Sequence, residues 1–189
     1  MIKNTECVRL SELLKLDLLR QCILLSGKNE GGITNKYWWL KIFSPRFLPV
    51  LLYRLSYQFQ QSKLGVLARF FSIINVVFFG IEISSRCKIG PGLFFPHTQG
   101  TVLGAISIGD NAVIYHGVTL GAKNLDFTYD ALHRPLIGNN VVIGAGAKVL
   151  GGIHVEDNVI IGANSVVTKS IAGNQTVAGN PAKIIESRK

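Results

Sequence analysis

Cysteine and histidine are scarce in this chain, and their scarcity argues against two classes of site. The 189 residues include 3 cysteines and 4 histidines. Cys7, Cys22 and Cys87 lie far apart and form no Cys-x-x-Cys pair, which argues against a disulfide framework or a zinc site. Isolated cysteines of this kind are typical of a reducing compartment. We therefore expect a cytoplasmic protein.

Long apolar runs are also missing. The longest apolar stretch without a charge extends from Phe70 to Ile81, far short of the ~20 residues that a membrane-spanning helix needs. Residues 1–17 carry charges throughout and lack an apolar core followed by a small-residue cleavage site. The sequence thus predicts neither a membrane span nor a secretion signal.

Acidic residues are few as well, 11 against 20 lysines and arginines, which gives a net charge of +9. Such an excess fits nucleic acid, an anionic membrane surface or an anionic small ligand. The basic residues are scattered and no nucleic-acid-binding motif accompanies them, so we expect no nucleic-acid partner. A coenzyme bearing phosphates, or an acidic or lipid-linked acceptor, would use the same charge.

What the chain does have is an aliphatic residue at every sixth position. The uninterrupted series is Ile137, Ile143, Val149, Val155, Ile161 and Val167, and an upstream series is Ile83, Ile89, Phe95, Val102, Ile108, Ile114 and Leu120. A period of six is neither the 3.6 of a helix nor the 2 of an ordinary strand. Three hexads make one triangular coil, so the sequence predicts a mainly β fold, a left-handed parallel β-helix of roughly four coils.

The N-terminal third has a different composition and predicts helices. We expect a helical segment at residues 1–80, the β-helix at 81–172 and a C-terminal tail at 173–189. Two interpretations of the aromatic helical segment, which includes Trp38 and Trp39, stay open. It is either an interfacial membrane helix or a set of helices that cap the open end of the β-helix and pack against neighbouring subunits.

The hexad repeat breaks twice, and a solenoid usually carries its function where the repeat breaks. A seven-residue step from Phe95 to Val102 predicts one inserted residue within 95–101. A seventeen-residue step from Leu120 to Ile137 predicts a protruding loop at 122–136.

Two histidines have equivalent positions around the first break. His97 follows Phe95 by two residues and His116 follows Ile114 by two, so their side chains should stack on successive coils and point outward. His97 is a candidate general base because an imidazole can accept a proton near neutral pH. Glu82, fifteen residues earlier, is the candidate carboxylate that orients it. The alternative is that Glu82 is a solvated residue at the start of the β-helix.

Histidines on a β-helix can also bind a metal ion, as they do in the γ-class carbonic anhydrases. It requires two histidines five residues apart, and none of the four is so spaced. His133 and His154 are more simply loop and surface residues. We expect no metal.

Several short motifs together resemble the serine acetyltransferase branch of the hexapeptide-repeat acyltransferases, over about residues 80–185. They are Ile81-Glu82-Ile83, Lys88-Ile89-Gly90-Pro91-Gly92, Pro96-His97-Thr98-Gln99-Gly100, Gly117-Val118-Thr119-Leu120-Gly121, Ile143-Gly144-Ala145-Gly146-Ala147-Lys148 and Ala178-Gly179-Asn180-Pro181-Ala182. The resemblance implies acetyl-CoA as donor, a homotrimer or a dimer of trimers, and an active site between adjacent β-helices. It also implies that His97 is the catalytic histidine and that Glu82 stands where the family has an aspartate.

The resemblance further implies which residues contact the donor. Small residues let the pantetheine arm lie against the coil edges, and the matching positions are Gly121, Ala122, Ala145 and Ala163. Lys148 and Lys183 are candidate phosphate contacts.

The chain departs from the family at the acceptor site, where we expect contacts from Pro96, Gln99, His116 and Arg134. Pro96 replaces an aspartate that helps to hold the serine ammonium group, and Arg134 stands in place of a second histidine. The loss of acidic partners should weaken serine binding, because an unpaired buried charge is costly. We therefore expect a sugar or polysaccharide-precursor hydroxyl as acceptor, with serine as the alternative and a non-catalytic scaffold as a third possibility.

Overall fold

The computed structural model describes residues 9–27, 38–126 and 128–187, with side chains 38–40 left out. Cys7 and the side chains of Trp38 and Trp39 therefore lie outside the described part. The helices are α1 (Leu10–Ser26), α2 (Leu48–Gln61) and α3 (Gly65–Phe79), with a short 3-10 helix at Trp38–Phe43. Among the described residues, no helix is both long enough and apolar enough to cross a bilayer.

Short strands follow α3 and stack into three sheets. They are β1 (Ile81–Ile83), β2 (Lys88–Ile89), β3 (Thr101–Leu103), β4 (Ser107–Ile108), β5 (Val113–Ile114), β6 (Thr119–Gly121), β7 (Leu136–Ile137), β8 (Val142–Ile143), β9 (Lys148–Leu150), β10 (His154–Val155), β11 (Ile160–Ile161), β12 (Val166–Val167), β13 (Gln175–Ala178) and β14 (Lys183–Ser187). The sheets have the orders β1-β3-β6-β9-β12, β2-β4-β7-β10 and β5-β8-β11-β13-β14, which we call the first, second and third walls. All pairings in these walls are parallel except β13 with β14.

The hexad aliphatics fill the interior between the walls. Along the first wall Ile83, Leu103, Leu120, Val149 and Val167 are in register and buried. Since strands of each wall belong to successive coils, each inward residue packs on its equivalent in the next coil. The triangular β-helix predicted from the period of six is confirmed.

The first break differs from the prediction. Val102 points outward and is 38% exposed, whereas Leu103 is 1% exposed and pairs with Ile83. The interior positions therefore run from Phe95 to Leu103 and then to Ile108, an eight-residue step followed by a five-residue one. Two residues are inserted before β3, and the shorter step after it restores the register.

Parallel pairing continues into residues 173–189, which were expected to form a tail. Val177 of β13 pairs with Ile161 and is buried. β14 then returns antiparallel to β13.

The open end of the β-helix is covered by α2, as the capping interpretation expects of this helix. Tyr53 and Val50 join the interior cluster. The Tyr53 hydroxyl donates to the Cys87 carbonyl at 2.7 Å and accepts from the Ile89 amide at 3.1 Å. Burial raises the pKa of Tyr53 well above its ordinary value and that of Cys87 to about 12.

A buried ion pair fastens α1 and α2 to the same coil. The Asp17 carboxylate accepts from Arg54 Nε at 2.9 Å and from the amides of Gly92 and Leu93 at 2.7 and 3.0 Å. Both side chains are almost fully buried. The remaining Arg54 donors bind the carbonyls of Ile89 and Gly90.

One edge of the prism, between the second and third walls, carries a ladder of asparagines. Asn111, Asn140, Asn158 and Asn174 all have a left-handed backbone, with φ between +54° and +60°. Their side-chain amides bond in series at 3.2, 3.0 and 3.0 Å. Asparagine suits such a tight corner because its short polar side chain tolerates positive φ.

Candidate active site

The two inserted residues form a bulge at Pro96–Gly100, where the third wall turns into the first. Three contacts hold this bulge against the helical segment. Arg46 Nε donates to the Pro96 carbonyl at 3.1 Å, Thr98 Oγ1 donates to the Phe79 carbonyl at 2.8 Å, and the Gly100 amide donates to the Gly80 carbonyl at 2.9 Å. The bulge is therefore anchored on both sides of His97.

His97 projects from the bulge and packs edge-on against His116. The ring centroids are 5.7 Å apart with an interplanar angle of 83°. Both side chains are exposed. The predicted outward stacking of the two histidines on successive coils is confirmed, and either ring can meet a ligand from solvent.

Glu82 lies on the outer surface of the first wall rather than beside the His97 ring. It is exposed and in register with Val102 on β3. Within the described residues, neither a hydrogen bond nor an ion pair joins Glu82 to His97. The orienting role expected for Glu82 stays a prediction, since the isolated chain does not make that contact.

Gln99 lies over the end of α3. Gly80 has φ of +61°, a left-handed backbone that favours glycine, and a Cβ there would meet the end of the Gln99 side chain. The Gln99 carbonyl accepts from the Gly117 amide at 2.9 Å, which stacks the bulge on the next coil.

The predicted donor contacts separate into two groups on opposite edges of the first wall. Ala145 and Ala163 each follow a third-wall strand by two residues, as the predicted acceptor contact His116 does. Those strands are in register, so the three residues form one column. Ala163 is exposed and Ala145 half-buried. Gly121 and Ala122 lie at the other edge, where the chain leaves β6. The backbone there is secured by the Gly151 amide, which donates to the Gly121 carbonyl at 2.9 Å.

The two lysines that are candidate phosphate contacts differ in whether they already have a partner. Lys148 Nζ donates a hydrogen bond to the Gly117 carbonyl of the preceding coil, so its ammonium group is already bound within the fold. Lys183 begins β14 and is exposed. Of these two lysines, the structure leaves Lys183 better placed for an anionic ligand.

An open groove of about 930 Å³ runs along the outer surface of the first wall. Its lining includes Glu82, Gly121, Ala122 and three arginines, Arg69, Arg86 and Arg134. Glu82 supplies the one carboxylate among the described lining residues, so the groove favours ligands that carry negative charge or none.

The loop between β6 and β7 is held by Arg134, which sequence reasoning placed at the acceptor. Its Nε donates to Asp126 Oδ2 at 2.7 Å, its Nη1 donates to the Gly104 carbonyl at 2.9 Å, and its guanidinium lies 4.1 Å from the Tyr129 ring centroid. Hydrogen bonds from Thr128, then from Arg134 and the backbone, lower the pKa of Asp126 from 3.8 to about 2. Arg134 thus builds the loop and lines the groove with the rest of its surface.

The remaining histidines lie away from this site. His133 is largely exposed, with Nδ1 3.8 Å from Asp130 Oδ2, and His154 is exposed on β10. Across the described ranges, no group of three or more histidine, cysteine or acidic side chains could hold a metal ion.

Sequence reasoning missed Arg46, Asp126 and Tyr129. Tyr129 has a φ of +62°, its hydroxyl donates to the Ala105 carbonyl, and burial raises its pKa to about 12. No repeat or motif marks these three residues. Arg46 and Tyr129 contact segments distant in sequence, whereas Asp126 bonds residues of its own loop, which lies outside the repeat.

Comparisons with known proteins identify relatives of this chain and of its fold. A family model described as "Bacterial transferase hexapeptide (six repeats)" matches residues 134–169. A serine acetyltransferase of Helicobacter pylori is 42% identical over 157 residues, which is 82% of this chain and 90% of that protein.

Solved structures match over nearly the whole chain. The serine acetyltransferase of Brucella abortus in complex with coenzyme A superposes with a TM-score of 0.79 at 31% identity, covering 95% of this chain and 68% of that one. The Neisseria gonorrhoeae serine acetyltransferase in complex with serine superposes with a TM-score of 0.77 at 29% identity, covering 94% of this chain and 69% of that one. The β-helix is therefore left-handed, and this chain spans about two thirds of the length of these two solved enzymes. It belongs to the hexapeptide-repeat acyltransferases, in their serine acetyltransferase branch, and is an acetyltransferase.

Proposed function

We propose that this protein transfers the acetyl group of acetyl-CoA to the hydroxyl of L-serine, and that His97 is the general base. The observation that carries the proposal is the exposed His97 ring on a bulge anchored at Pro96, Thr98 and Gly100. The relatives named as serine acetyltransferases support serine as the acceptor ahead of the sugar expected from the sequence. The few, isolated cysteines support action in the cytoplasm.

His97 performs the proton transfers. Its free imidazole nitrogen takes the proton of the acceptor hydroxyl as the oxygen attacks the thioester carbonyl. The tetrahedral intermediate then expels the CoA thiolate, and the proton on His97 passes to the sulfur. General-base catalysis of this kind contributes about 10²–10⁴-fold to the rate.

The donor fits the small residues of this chain. A pantetheine arm can lie along the column at Ala145 and Ala163, where no large side chain projects, and Lys183 would hold a phosphate. Gly121, Ala122 and Arg134 lie at the opposite edge of the first wall. A neighbouring β-helix that turns this edge toward the His97 column would complete the site, which supports a homotrimer.

A second candidate acceptor is a carbohydrate hydroxyl, and the composition of the groove favours it. Three arginines and one carboxylate line the groove, and Pro96 stands where serine enzymes of this branch have an aspartate. An acceptor without an ammonium group would need no acidic partner there.

The test is release of the CoA thiol from acetyl-CoA, with L-serine compared with nucleotide sugars and surface oligosaccharides. We expect turnover on serine that falls by about 10²–10⁴-fold in His97→Ala. The matched control is His116→Ala on the next coil, which should raise KM more than it lowers kcat.

The result with each acceptor decides between the candidates. Turnover on a saccharide and none on serine would replace the first proposal with the second. Pro96→Asp adds a further check, because it should raise kcat/KM for serine only if the ammonium group binds beside His97. If the wild-type protein neither binds acetyl-CoA nor turns over any acceptor, a non-catalytic scaffold would be the remaining candidate function.

A further inference from the structure

Helix α3 turns Ser72 and Asn75 toward α2 and leaves a row of apolar side chains exposed. Asn75 is 2% exposed and donates to the Pro49 carbonyl of α2 at 3.0 Å, and the hydroxyls of Ser72 and Ser56 lie 2.9 Å apart. The opposite side carries the outer face of α3, which we define as Val66, Phe70, Ile73 and Val77.

The outer face is a continuous apolar stripe. Its four side chains are 86%, 55%, 53% and 68% exposed, and Phe78 beside them is 73% exposed. Residues at these spacings lie on one side of a helix, so the apolar area is contiguous. A large exposed apolar patch of this kind marks a surface that meets a partner or a lipid.

The exposed charges at the start of α3 are basic, and α3 itself contains no acidic residue. Lys63 and Arg69, at the start of α3, are both exposed. An apolar helical stripe bordered by basic side chains is the pattern of helices that lie in the interface of an anionic membrane.

We propose that the outer face of α3 docks the protein on an anionic lipid surface. A second copy of the chain that packs α3 against α3 is a poorer occupant. A symmetric contact through α3 would bring Lys63 and Arg69 toward the same positive charges, and neither α2 nor α3 has an acidic residue to pair with them. The proposal goes beyond the acetyl transfer and holds for either acceptor.

The C-terminal end of α3 contacts the bulge that carries His97. The carbonyls of Phe79 and Gly80, at the end of α3, accept from Thr98 and Gly100 on either side of the bulge tip. The helix that carries the docking face therefore also holds the bulge that carries His97.

Co-sedimentation of the full chain with lipid vesicles tests the proposal. One set of vesicles contains phosphatidylcholine alone and the other an equal mixture with phosphatidylglycerol. We expect binding to the anionic vesicles that weakens as salt is added, because the Lys63 and Arg69 charges are screened.

Two variants and two controls assign the binding to α3. Phe70→Ser combined with Ile73→Ser and Val77→Ser should weaken binding at least about tenfold, since buried apolar area is lost. Lys63→Gln with Arg69→Gln should weaken it about tenfold or more. Leu132→Ser, at a loop residue that is 80% exposed, and Lys169→Gln, on the coil furthest from α3, should leave it unchanged.

Three results would overturn the proposal. One is equal binding of the wild type to both vesicles, and another is unchanged binding of the triple serine variant. The third is a wild type that binds neither vesicle and whose mass by sedimentation equilibrium falls in the triple variant, because the face would then be buried between copies. Circular dichroism of each variant checks that the fold is intact.

Discussion

Replacing Asp17 by alanine should destabilise the protein severely without touching the catalytic site. The carboxylate is fully buried, accepts two hydrogen bonds from Arg54 and accepts one each from the amides of Gly92 and Leu93. Its removal leaves a buried guanidinium without its counter-charge and two amides without an acceptor. Breaking one partner of a buried pair costs about 3–5 kcal/mol, and an orphaned buried amide about 1–3 kcal/mol.

Because such costs are not additive and water can enter at the helix ends, we expect a loss of about 4 kcal/mol. For a chain of this size that corresponds to a fall in Tm of about 8–16 °C. The assay is thermal unfolding followed by circular dichroism at one fixed protein concentration, since oligomers unfold in a concentration-dependent way.

Two further variants make the reasoning falsifiable. Asp17→Asn combined with Arg54→Met keeps an oxygen for the Gly92 and Leu93 amides and removes both charges, so it should be more stable than Asp17→Ala. Glu12→Ala, at an exposed acid of the same helix, should change Tm by less than about 2 °C. If Asp17→Ala moved Tm no more than Glu12→Ala does, the ion pair would not hold the helices to the first coil.

Three other predictions concern the site. Arg46→Ala should lower kcat about tenfold with little change in Tm, because the Pro96 carbonyl loses its hydrogen-bond donor. Arg46→Lys should restore part of the rate. An unchanged kcat in Arg46→Ala would refute the positioning role of Arg46. The pKa of Asp126 is about 2 in the folded protein against an ordinary 3.8, so the ionised carboxylate stabilises the loop above pH 4 and loses that effect as pH falls toward 2. The Tm measured across this range should therefore fall less in Asp126→Asn than in the wild type. Lys148→Met should change the KM for acetyl-CoA less than about threefold, whereas Lys183→Met should raise that KM by more. A larger rise in KM for Lys148→Met than for Lys183→Met would show that Lys148 leaves the Gly117 carbonyl to bind the donor.

The hexad period predicts the fold well because burial in a β-helix depends on local spacing. Every coil repeats the same inward positions, so Ile137 to Val167 could be assigned without knowing any long-range contact. The His97–His116 contact follows from the same rule, since residues at equivalent positions of adjacent coils must meet.

The same period conceals the true size of the first break. Val102 and Leu103 are both aliphatic, and the five-residue step to Ile108 restores the register. A single insertion before Val102 therefore explains the sequence as well as two insertions before Leu103. Only the strand pairing of Leu103 with Ile83 distinguishes the two.

The contacts that hold the helices and the bulge in place could not be predicted, because they join segments that no repeat relates. Asp17 reaches Arg54 and the first coil across more than thirty residues, and Arg46 reaches Pro96 across fifty. The pairing of His97 with Glu82 was predicted from a spacing close to one coil. The inserted bulge moves His97 away from the regular path, so that spacing no longer sets the distance between them.

The asparagine ladder has a consequence for how this fold can change. Asn111, Asn140, Asn158 and Asn174 bond only if each coil presents the same corner at the same height. An insertion there would break two side-chain bonds and the backbone register together. Both insertions in this chain, the bulge and the loop, lie at the other two edges of the prism. Variation in acceptor preference can therefore accumulate at those edges by changes in loop length, while the laddered edge keeps the coils stacked.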